Sequence, residues 1–69
     1  MPKFDVSIFL AGGATVKLNW ELSSSPAGSL KQALEDEGVF TLQSGKEDAV
    51  LVIKNPKEKI VGYLVDREP

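Results

Sequence analysis

Lys54, Lys57 and Lys59 crowd around Asn55-Pro56 in one short polar stretch. Ammonium groups spaced so closely could contact an anion or track a phosphate backbone, with Phe9 or Tyr63 available to stack a base. Glu58 stands among them and no arginine joins them. Surfaces that bind nucleic acid carry more positive charge than this. A solvated turn whose lysines deter strand pairing is the plainer reading. The carboxylates form two runs, Glu35-Asp36-Glu37 and Glu47-Asp48. Neither has the alternating ligand spacing of a calcium loop. The first run sits at the end of an expected helix, where acids oppose the helix dipole at a cost of about 0.3–1 kcal/mol each. A bound cation or a basic partner would relieve that cost, but water does so as well.

Nucleophilic chemistry finds no footing. Ser23, Ser24 and Ser25 have no histidine to activate them, because the chain contains none, and it contains no cysteine either. Gly12-Gly13 and Gly28 belong to no phosphate-binding pattern of the P-loop or dinucleotide type. Trp20, the only tryptophan, lies at the end of an alternating strand and is expected to pack in the core rather than to form a ligand platform. The sequence therefore assigns no catalytic, cofactor-binding or metal-ligating residue. The expectation is a non-enzymatic chain without a cofactor.

Composition narrows the classes further. Sixty-nine residues make one small domain, 1–69, which buries roughly 60% of its unfolded surface and is marginal without staples. Disulfides and thiolate or imidazole metal sites are ruled out by composition, so an apolar core worth about 3–5 kcal/mol net must hold the fold. Self-association would add to it. Eight basic against ten acidic residues leave a net charge of −2, which points to neither nucleic acid nor an anionic membrane. The first fourteen residues resemble a leader only superficially, since Asp5 and Ser7 interrupt a short apolar run of period two. No run is long enough to cross a bilayer as a helix. A cytoplasmic protein is the expectation.

Apolar periodicity lays out the elements. Phe4, Val6, Ile8 and Leu10 share one face of a first strand (3–10), and Val16, Leu18, Trp20 and Leu22 share one face of a second (15–22). A two-residue Gly12-Gly13 turn would set apolar residues opposite polar ones. Pairing Leu10 with Val16, Ile8 with Leu18, Val6 with Trp20 and Phe4 with Leu22 makes the apolar faces coincide, which calls for an odd-length loop or a glycine bulge at 11–15. A helix (27–37) starts at Pro26 or at Leu30, carries the stripe Ala27, Leu30, Ala33 and Leu34, and stops at Gly38. Strands at 39–43, 49–54 and 59–65 follow. The expected class is α+β: a ββαβββ domain with a five-stranded antiparallel sheet in the order 2-1-5-4-3, flat or curled toward a barrel, and one helix on one face.

The last two strands differ from the first two. Residues 50–53 and 60–65 are apolar at nearly every position, and such strands need cover on both faces. One short helix covers only one. Leu51 and Ile53 oppose Val50 and Val52, while Val61, Tyr63 and Val65 oppose Ile60 and Leu64, and Phe9 adds a ring to the polar side of the first strand. Phe9, Val61, Tyr63 and Val65 are thus the candidate interaction surface, serving an unidentified protein partner or a homodimer. A curled sheet that buries both sets within itself is the competing reading. Weak single-stranded nucleic-acid binding, with Lys54, Lys57 and Lys59 as anion contacts, is the alternative function.

Overall fold

Strict alternation along the first strand sets the architecture. In a computed structural model, which describes residues 2–45 and 48–68, β1 (Lys3–Leu10) buries Phe4, Val6 and Ile8 and turns Lys3, Asp5 and Phe9 outward. It is the central strand of a three-stranded antiparallel sheet in the order β2-β1-β5, with β2 (Thr15–Glu21) and β5 (Ile60–Arg67) at its edges. A second, two-stranded sheet pairs β3 (Val39–Gln43) with β4 (Val50–Lys54). Two short helices complete the α+β fold, α1 (Ala27–Ala33) and α2 (Pro56–Lys59).

The expected single five-stranded sheet is not found; the strands divide three and two and do not close into a barrel. β1 does pair with β5, but β4 does not pair with β5. The stretch read as a simple turn after Lys54 is a helical turn entered through Asn55 at φ 51, in the left-handed region that asparagine tolerates, with proline at the first helical position. Asn55 N–H donates to the Gly38 carbonyl and Lys57 N–H to the Asp36 carbonyl, so α2 docks on the loop before β3 instead of folding β5 back along β4.

The first hairpin has the expected faces but a different register. Phe4 lies opposite Trp20, Val6 opposite Leu18 and Ile8 opposite Val16, two residues away from the pairing that the apolar pattern suggests. Leu10 N–H donates to the Ala14 carbonyl and Gly13 N–H to the Leu10 carbonyl, closing a three-residue loop in which Gly12 and Gly13 have φ of 94 and 96. The loop is odd in length, as the alternation requires. Two successive glycines in the left-handed region make it tighter than the five residues 11–15. A slip of two residues leaves every side chain on its own face, so the apolar pattern cannot distinguish the two registers.

Against the inner face of this sheet lie α1, through Leu30 and Ala33, and Phe40 of β3; with Leu22 and Ile60 they complete the buried core. α1 begins at the proline end of the stretch in question: Leu30 N–H donates to the Pro26 carbonyl, and Ala27 N–H to Ser25 Oγ at 3.3 Å. It ends after seven residues, short of the expected 37, because Glu35 and Asp36 N–H groups turn back three residues to Gln32 and Ala33. At that length α1 spans about 10 Å and covers only part of one sheet face.

Candidate interaction surfaces

A β-bulge decides which way β5 points its side chains. Leu10 pairs with Ile60 and Phe9 with Gly62, so Val61 is an extra residue between them. The bulge reverses the alternation. Ile60, Tyr63 and Val65 therefore share the inner face with Ile8 and Val6, although a regular strand would oppose Ile60 to the other two. This separates the sequence-derived surface. Tyr63 and Val65 are half-buried against the core, whereas Phe9 and Val61 are exposed. Leu64, expected on the buried side, is opposite Ser7 on the outer face and is 62% exposed. Phe9 has a local role there as well: its ring lies 3.6 Å from where a Cβ on Gly62 would stand, so it shields a side-chain-free stretch of backbone.

β4 alternates without interruption. Leu51 and Ile53 pack on the core, while Val50 and Val52 face out opposite Gln43 and Thr41, and Val39, opposite Lys54, lies diagonal to Val52. The described residues thus carry two exposed apolar clusters, Phe9, Val61 and Leu64 on the larger sheet and Val39, Val50 and Val52 on the smaller, each side chain 40–68% accessible. Val39 escaped the sequence reading because a glycine precedes it; the alternation with Phe40 and Leu42 places it outside.

The three lysines do not act as one patch. Lys57 Nζ lies 3.4 Å from Glu37 Oε1, an exposed pair that neutralises it. Lys54 and Lys59 make no ion pair among the described residues, and both line a second feature, an open apolar groove of about 390 Å³. Leu10, Ala14 and Val16 of the first hairpin form one wall and residues 51–54 the other. Successive strand residues point to opposite faces. Four in a row lining one groove therefore present the edge of β4, and β3 occupies its other edge. Near Glu21 the gap closes, where Gly45 N–H donates to the Glu21 carbonyl.

A larger cleft of about 530 Å³ opens at the opposite end of β1, between Phe4, Val65 and Arg67 on one side and Ser23, Ser24 and Ser25 on the other. It brings three serines to one cation and to no base. The acidic run after α1 is committed locally, since Asp36 Oδ1 accepts the Gly38 N–H at 2.8 Å and Glu37 meets Lys57. Asp48 is exposed, and Glu47 lies outside the described residues. Among the described residues no three carboxylates gather to hold a metal ion. Asp5 and Asp66 are direct cross-strand neighbours on the outer face, and the Asn19 side-chain amide donates to Asp5 and to Glu68 beside them. No described helix is long and apolar enough to cross a membrane. Compared with models of protein families, with curated proteins and with solved structures, the chain matches none.

Proposed function

We propose that this chain is a non-catalytic protein-interaction module that works through the apolar surface its own elements leave uncovered. The observation that carries the reading is the pair of outer-face clusters, Phe9-Val61-Leu64 and Val39-Val50-Val52. Small folded chains seldom display grouped large apolar side chains without a partner for them. In the larger cleft the described lining brings Ser23, Ser24 and Ser25 to Arg67 and to no carboxylate. Self-association through one of these faces is the simplest form of the proposal, and it would add stability to a domain with so little core.

Sedimentation velocity at micromolar and near-millimolar concentration tests it. The expected result is a mass that rises with concentration and returns to monomer in Leu64→Asp or Val52→Asp, with unchanged circular dichroism. A monomer throughout that range removes the self-associating form.

A further inference from the structure

We infer that the groove between the first hairpin and β4 binds an extended peptide segment of another protein, apolar at alternate positions and carrying a carboxylate at the end that meets Lys54 and Lys59. This rests on the interaction-module reading and adds to it a third surface, apart from the two exposed clusters, with the partner it fits. Three independent features of the groove ask for that chemistry. The first is the bare edge of β4: the ladder bonds from Ser44 to Ala49 and from Asn55 to Gly38 put the N–H and C=O groups of Val52 and Lys54 on the side away from β3, where no described strand lies. An apolar molecule without hydrogen-bonding groups would leave them unpaired, whereas an extended peptide pairs them as an added strand does. The second is the apolar wall formed by Leu10 and Val16 facing Leu51 and Ile53, which accepts the side chains that such a strand directs inward. The third is charge. Lys54, the last residue of β4, and Lys59, whose carbonyl accepts the Ala11 N–H, both line the groove without an acidic partner among the described residues, so a carboxylate there gains charge-assisted contacts. The gap narrows toward Glu21, so the occupant is a short segment rather than a whole hairpin.

Selection of random heptapeptides on the purified full chain, with free and with amidated C-termini, tests the inference. The expected peptides alternate apolar and polar residues and end in Asp, Glu or a free carboxylate. Binding should weaken by about tenfold or more in the double variant Lys54→Glu, Lys59→Glu, a loss of about 1.4 kcal/mol or more. Raising the salt should weaken it as well. Amide exchange at Val52 and Lys54 should slow on binding. Both lysines are exposed, so the variant should keep its fold, and its thermal midpoint serves as the control. Selected peptides that ignore the lysine variant but are lost in Leu64→Asp would overturn the groove assignment and leave the interaction module standing. Binding of decanoate but of no peptide would give the groove to a small amphiphile and overturn it. No selected peptide, together with a strictly monomeric chain, would overturn both readings.

Discussion

The strands of the two-stranded sheet are at least as apolar as those of the three-stranded sheet, and they are buried less completely. In the three-stranded sheet, β1 has a neighbour on each side and a helix below, and Phe4, Val6 and Ile8 are sealed to between 0 and 4% exposure. In the two-stranded sheet no strand is central. Its inner side chains Leu51 and Ile53 are only half-buried, and Phe40 alone reaches the core fully. An isolated two-stranded hairpin is marginal in water. This one is held by Phe40 and by the backbone bond from Gly45 to Glu21, while the bond from Asn55 to Gly38 extends its own ladder by one rung. The contrast teaches that hydropathy does not determine burial here. Position in the sheet does. The inner face of the central strand is sealed by its own fold, and the inner face of an edge strand no less apolar is only half covered.

The comparison breaks if the larger sheet is not the stabilising half. Ile8→Ala removes a fully buried side chain from the central strand and should cost about 2–5 kcal/mol, comparable to the whole stability of so small a domain. Urea denaturation should show an unfolded or barely folded chain. Leu51→Ala, in the half-buried β4, should cost about half as much, roughly 1–2.5 kcal/mol, and leave a cooperative transition. If the two losses were equal, the small sheet would be as integral to the core as β1. Gly13→Ala comes next. No atom lies within 4 Å of its added methyl, so the penalty is the left-handed backbone alone, about 1–2 kcal/mol, measurable as a lowered urea midpoint with an unchanged slope.

How much of this was legible in the sequence follows from which physical signals have a period. Alternation in residues 3–10 and 15–22 marks the inner face correctly, and it requires an odd loop. Register within that constraint depends on the φ of Gly12 and Gly13, which composition does not reveal. The pairing of β1 with β5 was readable from the apolar runs of both strands, although β5 is an edge and not a central strand. The division into two sheets was not, because it turns on a single left-handed Asn55 before Pro56, and the same residues also suit an ordinary turn. The candidate surface was half legible for a related reason. Phe9 and Val61 are exposed, but a bulge of one residue carries Tyr63 and Val65 inward and Leu64 outward, and a bulge has no periodic signature. The groove beside β4 was invisible, since it joins residues far apart in sequence through an edge that exists only because β4 left the main sheet.

The smallest effect sharpens the comparison from the other side, by making the stable sheet more stable. Asp5 and Asp66 face each other directly across β1 and β5 on the outer face, where the Asn19 amide donates to Asp5 and to Glu68. Like charges at directly opposed positions destabilise a ladder, and opposite charges there stabilise it by about 0.2–1 kcal/mol. Asp66→Lys should therefore raise the midpoint of thermal unfolding by a few degrees in dilute buffer, and added salt should shrink the gain because the site is exposed. Amide exchange should slow along β1 and β5 and remain unchanged along β4. Slowing in both sheets would mean that they unfold as one cooperative unit, and the distinction between a covered half and an available half would then describe surface alone, without a difference in local stability.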